Sequence, residues 1–282
     1  MNSLPQEVID EIIDCLPYPS LTSSSLVATR WRKKSQQLLF DTTWFHSERR
    51  VKLWHAYPKA DQGRISSYVH FAGFDRVCCW DDPTLFVRLL KSFSSLRVLW
   101  MNSTEIPSEL LGHISRGEFG KGITTLSLWS PHCAFSTIAS IIVSLPDLKK
   151  LAVQLLGTKS GDPSSAHPIS PLRRRLNVLK LYGSAGGVAS VLIQSQFTFR
   201  YLRPEIDTPG LQQLLTLSSE TLEGIRFEGA RYLALPAPRN RQRSPSQIRK
   251  PRMLLLPSIY HRFLLSLFSE SAFVSIVPLI TF

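Results

Sequence analysis

The sequence predicts an α/β chain. A short all-helical segment comes first, followed by strand–helix units set side by side, with parallel strands and outer helices. Three observations predict it. The chain opens MNSLPQEVIDEIIDCLPYPSLTSSSLVATRWRKK, with two proline-punctuated apolar runs and then a Trp among bases. From residue 96 onward a short apolar-x-x-apolar-x-apolar run returns again and again. A helical pattern fills the space between successive runs.

The first helix is read over residues 4–16. Val8, Ile9, Ile12, Ile13 and Leu16 fall on one helical face. Ser3 suits the N-cap, Pro5 suits the first turn, and acids crowd the N-terminal half. Pro17 and Pro19 stop the helix. A second short helix is expected over Leu21–Ala28. A third is expected from about Arg30 to Phe40, carrying Trp31, Leu38, Leu39 and Phe40. Three helices in so short a stretch cannot enclose all their apolar side chains, and segments of that size need a partner or a staple. With no disulfide or metal pattern in the segment, a partner surface is implied.

Leu4-Pro5-x-Glu7, Ile9, Ile12, Leu16-Pro17, Leu21, Leu26-Val27 and Trp31-Arg32 together resemble the F-box motif. The resemblance covers residues 1–40. It implies docking to a Skp-type adaptor and, through that adaptor, to a cullin and the ubiquitin-conjugating machinery. Carried over by position, Leu4, Pro5, Ile9, Leu16, Leu21, Val27 and Trp31 are the adaptor-binding residues, facing the adaptor or shaping the interface. Ser20 stands where an acid is frequent and Ala28 where Cys is frequent, both peripheral departures. A plain helical cap accounts for the first helix, but not for LPxE, two Leu-Pro pairs and the Val-to-Trp spacing together.

Beyond Phe40 the runs are LRVLWM (96–101), ITTLSL (123–128), LKKLAV (148–153), LNVLKL (176–181) and LEGIRF (222–227). FRYLRP (199–204) is a weak copy, expected to be short or edge-like because Pro204 fills its third apolar slot. YVHF (68–71) and TTWF (42–45) are candidate first strands. Helical patterns lie at 83–93, 106–117, 135–145, 186–197 and 209–219. One strand and one helix every 23–28 residues resembles the leucine-rich repeat family, in irregular copies without a regular Asn ladder. The whole is similar to F-box proteins of the fungal type with degenerate leucine-rich repeats, in which an irregular solenoid follows the helical segment over residues 41–230. A doubly wound α/β domain is the structural alternative; short, uniform connections count against it.

Stacked units bury Leu99, Met101, Leu126, Leu128, Leu151, Val153, Leu179 and Leu181. Residues alternating with them face the other way. That row holds Val98, Trp100, Asn102; Thr125, Ser127, Trp129; Lys150, Ala152, Gln154; Val178, Lys180, Tyr182; and Gly224, Arg226, Glu228. Exposed aromatics beside bases are binding chemistry. Trp100, Trp129, Lys150, Lys180, Tyr182 and Arg226 are therefore the candidate substrate-binding residues, and an acidic or phosphorylated peptide suits their charge. The alternative, that a loop or the tail covers Trp100 and Trp129, stays open.

The net charge of +12 is concentrated. Residues 231–252 hold seven Arg or Lys and no acid, and without them the rest of the chain carries +5. High basicity is thus a weak argument for nucleic-acid binding by the body. The 19 apolar residues among the last 30 admit three readings: a tail anchor, a docked apolar cap, or an aberrant terminus. Glu270, four Ser and Pro278 within residues 263–282 count against the anchor. Acids interrupt the early apolar residues, which is not the pattern of a secretory leader. Cys15, Cys78, Cys79 and Cys133 show no paired spacing, so they read as small buried hydrophobes in a reducing compartment, cytoplasmic or nuclear.

GSAGGV (183–188) lacks the glycine spacing and the Lys-Ser/Thr of a phosphate loop and reads as a turn. No His, Cys or acid stands at metal-ligand spacing, and the neighbours His132 and Cys133 make no dyad. The sequence therefore points to a non-catalytic chain, with no cofactor, no metal site and no catalytic residue. Its expected function is that of the substrate-recognition subunit of a Skp–cullin–F-box ubiquitin ligase, holding an unknown protein target. A leucine-rich-repeat interaction scaffold without a ubiquitination role is the alternative. No nucleic-acid or membrane partner is expected.

Overall fold

The structure, a computed structural model, describes residues 4–57, 59–77, 80–133, 135–155, 174–183, 186–204 and 210–226. All belong to one compact unit, Met1–Ala237. Ser3, Cys78, Cys79, Glu228, the basic linker and the apolar tail lie outside the described residues.

The chain opens with α1 (Gln6–Asp14), α2 (Tyr18–Val27) and α3 (Thr29–Asp41). Pro5 caps α1 with φ −55°, a value its ring fixes. Pro17 and Pro19 do more than stop α1. They also start α2, with Pro17 at the N-cap and Pro19 in the first turn, so that helix begins three residues before the expected Leu21. Ile9, Ile13 and Leu21 are buried among half-buried Leu16, Trp31, Leu38 and Leu39. Ser24 Oγ and Ser35 Oγ, both buried, share a 2.9 Å hydrogen bond that pins α2 to α3.

Helix α3 runs directly into β1 (Thr42–Phe45), the TTWF run. Two helices then follow that the sequence pattern did not reveal, α4 (Glu48–His55) and α5 (Lys59–Ser66). ERRVKLWH shows too few apolar residues for a periodic signal, yet it buries Val51 and lays Trp54 edge-on against Phe45 and Phe93. The next strand, β2, is Phe71–Asp75 rather than YVHF. Tyr68 and Val69 donate backbone N–H groups to Ile65 and Ser66, so they close the end of α5. The strand therefore starts three residues later than expected. Beyond it come α6 (Pro83–Ser92), β3 (Val98–Asn102), α7 (Glu109–Ser115), β4 (Thr125–Trp129) and α8 (Phe135–Ser144). The last elements are β5 (Lys150–Leu155), β6 (Arg175–Gly183), α9 (Gly186–Gln194), β7 (Thr198–Pro204), α10 (Leu211–Leu217) and β8 (Gly224–Ile225).

The eight strands form one all-parallel sheet in strictly sequential order, β1 to β8. A doubly wound sheet reverses its order at a switch point; this one never does. Strand β7 is neither short nor an edge. Its seven residues pair with β6 along most of their length, because Pro204 is last in the strand, where a missing N–H costs little. On its other side only Tyr201 and Leu202 pair with β8.

One face of the sheet is core. Leu99, Met101, Leu126, Leu128, Leu151, Val153, Leu179 and Leu181 are all at most 1% exposed, and they pack with Phe86, Leu89, Leu110, Ile138, Ile142 and Leu192 of the helices. At ~1.5–3 kcal/mol per buried side chain, this contiguous layer is the main favourable term for the sheet. Alternating residues lie on the opposite, open face.

A repeating corner closes the strands. Arg76, Ser103 and Ser130 each follow a strand and adopt φ of 55°, 44° and 47°. Each donates its N–H to a carbonyl at the end of the next strand: Asn102, Trp129 and Gln154, at 2.7–2.8 Å. Gly183 takes the same left-handed conformation at the end of β6 (φ 61°), and a Cβ there would meet the Leu155 carbonyl oxygen at 2.7 Å. The GSAGGV run therefore begins in a strand-closing turn.

Candidate functional site

The three N-terminal helices divide their apolar residues between two environments. Ile9 and Leu21 are each 4% exposed and hold the helices together. Buried inside the unit, they shape its surface from beneath. Leu16 and Trp31 are half-buried in the same cluster. Leu4, Pro5 and Val27 are exposed, Val27 at 69%. Val8, Ile12, Tyr18 and Leu26, absent from the sequence-derived set, join them on the surface. Their signal was present in the helical period: Val8 and Ile12 flank the buried Ile9 and Ile13, so one wide apolar face serves both the interior and the surface.

Polar contacts hold this surface in shape. Arg30 Nε donates to Gln6 Oε1 at 3.2 Å, and Gln6 Nε2 donates to Asp10 at 2.8 Å, linking α1 to the start of α3. Lys34 pairs with Asp14 at 2.9 Å. The Tyr18 hydroxyl donates to the Leu39 carbonyl at 3.3 Å, and partial burial raises its pKa above the usual tyrosine value. Cys15 is exposed, against the expectation of a buried thiol.

The open face of the sheet is the second surface. Trp100, Trp129, Lys150, Lys180 and Tyr182 all stand on it, from β3 to β6, and Arg226 follows β8, its N–H donating to the Leu202 carbonyl. The register sets three rows across the strands. One reads Trp44, Gly73, Trp100, Ser127, Ala152, Lys180, Arg203. Beside it lie Asp75, Asn102, Trp129, Gln154 and Tyr182. On the other side lie Thr42, Phe71, Val98, Thr125, Lys150, Val178, Tyr201 and Gly224.

Aromatic rings are neighbours within these rows. Trp44 meets Trp100 edge-on at 5.0 Å across Gly73, and meets Phe71 at 5.0 Å. Trp129 stacks on Tyr182 at 5.4 Å, and its indole Nε1 donates to Ser127 Oγ at 2.7 Å. Both Trp100 and Trp129 are half-buried against these rings, with their outer parts accessible. Trp44, Phe71 and Arg203 lie outside the sequence-derived candidates: Phe71 belongs to a strand that starts three residues later than YVHF suggests, Arg203 to the weak copy FRYLRP, and Trp44 to a first strand, TTWF, that does not carry the repeated pattern.

Charge divides the face. Asp75 is the one acid at its strand positions among the described residues; it accepts from Asn102 Nδ2 at 2.8 Å and stands 3.5 Å from His46. Lys150, Lys180 and Arg203 all lie toward the C-terminal strands, with Arg226 just beyond. At its margin, Glu223 is engaged by Arg200 and Tyr201, which hold its carboxyl below the usual range.

Burial pushes the Cys133 thiol up to about 12. A thiol kept protonated is a poor nucleophile at neutral pH. Among the described residues no group of three or more His, Cys, Asp and Glu is placed to hold a metal ion, and no helix is long and apolar enough to cross a membrane.

A small helical unit with an apolar exterior is thus joined to a sheet with a polar-aromatic open face. Residues 1–42 match the family model of the F-box domain. An F-box domain implies a Skp-type adaptor and through it a cullin, and F-box proteins are typically non-catalytic receptors. No curated protein matches the chain.

Proposed function

We propose that this chain is the substrate-recognition subunit of a Skp–cullin–F-box ubiquitin ligase. Residues 1–40 dock the adaptor, and residues 41–230, an irregular leucine-rich-repeat solenoid, hold a protein target on the open face of the sheet. The assembly works in the cytoplasm or nucleus. The ligase gains by effective concentration: a target lysine is held near a charged conjugating enzyme, and no residue of this chain makes or breaks a bond.

One observation carries the reading. Within the unit matched by the F-box family, Leu4, Val8, Ile12, Tyr18, Leu26 and Val27 stay at least 37% exposed although the helices have a core of their own. Apolar side chains concentrated on so small a unit mark an interaction site. Leu4, Pro5, Val27 and the newly exposed positions are the contact residues, while Ile9, Leu16, Leu21 and Trp31 set their geometry.

The test is co-expression with a Skp-type adaptor and pulldown, comparing the native chain with Leu26→Asp/Val27→Asp. The native chain captures the adaptor stoichiometrically and the variant loses it, both with the same circular dichroism spectrum. Equal capture by the two, or none by either, removes the ligase reading.

A further inference from the structure

We propose that a recess between α3, α4 and α5 docks an acidic segment of a partner protein, which seats one aliphatic side chain in it. The site uses neither the open face of the sheet nor the exposed apolar residues of α1 and α2. It goes beyond the proposed function and does not depend on it.

Phe40 near the end of α3, Trp54 and Tyr57 at the end of α4, and Gln62 and Ile65 of α5 line the recess. Trp54 meets Phe40 edge-on at 6.0 Å, which joins two of its walls. The walls are apolar and the volume is about 50 Å³. Small-molecule sites run to ~300–1,000 Å³, so this one is too small for a cofactor. An apolar hollow holds water poorly. The end of one leucine or methionine side chain suits it in size and polarity.

The surface beside the recess is apolar as well. Beyond the F-box match, three large apolar side chains are exposed among the described residues: Leu53 at 53%, Tyr57 at 41% and Tyr201 at 42%. Tyr201 already gives its hydroxyl to Glu223 at 3.0 Å. The other two stand together at the recess, four residues apart on one side of α4, and form its rim. Exposed apolar area concentrated at a hollow marks an interaction site.

Charge selects the partner. Each of the three helices holds one acid, and each acid is engaged. Asp41 is bonded to His70 at 2.9 Å, Glu48 pairs with Lys52 at 3.2 Å, and Asp61 pairs with Arg64 at 2.9 Å. Lys33 and Arg49 are exposed and have no partner among the described residues. Lys33 precedes Phe40 by two turns on α3, and Arg49 precedes Leu53 by one turn on α4. The free charge beside the recess is therefore positive, and the complementary segment is acidic. A second copy of this chain would bring like charges together.

Helical rise sets the spacing. Lys33 lies roughly 10 Å along the axis from Phe40, and Arg49 about 6 Å from Leu53 and 12 Å from Tyr57. An extended chain advances ~3.3–3.6 Å per residue. The acids of the partner segment therefore fall about two to four positions from its aliphatic anchor.

The test uses the full chain and fluorescein-labelled synthetic peptides in a Gly/Ser background. The probe carries one Leu, with Glu at the second to fourth positions on both sides. Control peptides replace the Glu residues by Ser or by Lys, or the Leu by Ser. Fluorescence anisotropy reads binding. The probe binds about tenfold or more tighter than each control, and its affinity falls as salt is raised. Arg49→Glu and Leu53→Ser, both changes of exposed side chains, each weaken it several-fold while circular dichroism and adaptor capture stay unchanged. Equal binding of the Ser or Lys control overturns the acidic assignment. Equal binding of the control without Leu, or no binding by any peptide, overturns the recess as a docking site. A dimer by light scattering that Leu53→Ser converts to monomer gives this surface to a second copy and overturns the proposal. Adaptor capture on the same preparations reads the proposed function separately, so the failure of one is distinct from the failure of the other.

Discussion

The indole of Trp44 lies directly over Gly73, so close that a Cβ added at Gly73 would sit 2.3 Å from Trp44 Cε3. Gly73 is opposite Trp44 on one side and Trp100 on the other. The missing side chain is what lets the two tryptophans touch across a strand. Gly73→Ala forces one ring to move, and overpacking of this kind costs ~1–3 kcal/mol. Chemical denaturation measures the loss. The double variant Gly73→Ala/Trp44→Ala isolates the coupling: if Trp44 is the obstacle, Gly73→Ala costs much less when Trp44 is already gone.

The left-handed corners give opposite outcomes at two equivalent places. Gly183→Ala meets both a φ of 61° and a backbone oxygen at 2.7 Å, and destabilises by at least ~1 kcal/mol. Ser130→Gly removes a Cβ from a φ of 47° and leaves stability unchanged or raises it by up to ~1 kcal/mol. Thermal melts of the two variants decide the matter; equal losses would mean that the corners carry no strain.

Adaptor capture separates interior from surface among the N-terminal helices. Ile13→Ala empties a fully buried site and costs ~2–5 kcal/mol, lowering the melting temperature and capture together. Val27→Ala alters a 69% exposed side chain, stays within ~0.5 kcal/mol of native stability and still weakens capture. The two are told apart by measuring melting temperature and pulldown on the same preparations.

Thiol chemistry follows from burial. The Cys133 pKa is raised to about 12, so at neutral pH its thiolate is rarer than that of an ordinary thiol by a factor on the order of 10³. Iodoacetamide at pH 8 followed by peptide mapping labels the exposed Cys15 well before Cys133. Because the folded value lies above the unfolded one, the protonated thiol's contribution is intact below about 9 and is lost as pH rises from there toward 12. Native stability therefore falls across that alkaline window, and Cys133→Ala flattens the slope. Rapid labelling of Cys133 at pH 8 would contradict its burial.

The alternation of apolar and polar residues let the sequence alone determine much of this protein. LRVLWM, ITTLSL, LKKLAV and LNVLKL each state which side chains are buried, because a strand has a period of two and a one-residue slip would expose every leucine. Leu4-Pro5, Leu16-Pro17 and Trp31 likewise mark the helical segment by spacing. The tertiary structure decided the rest. Helices α4 and α5 have too few apolar residues to be periodic; α4 packs Val51 and Trp54 into the core beside Phe45 and Phe93, and α5 buries Ile65. Which apolar residues of α1 and α2 reach solvent depended on how three helices cross, since Ile9 and Val8 are adjacent in one pattern and opposite in exposure. The meeting of Trp44 with Trp100, and of Trp129 with Tyr182, depended on strand register, which joins residues more than fifty positions apart. Local periodicity is a property of the chain and can be read from it. A surface is a property of packing and exists only once the strands are side by side.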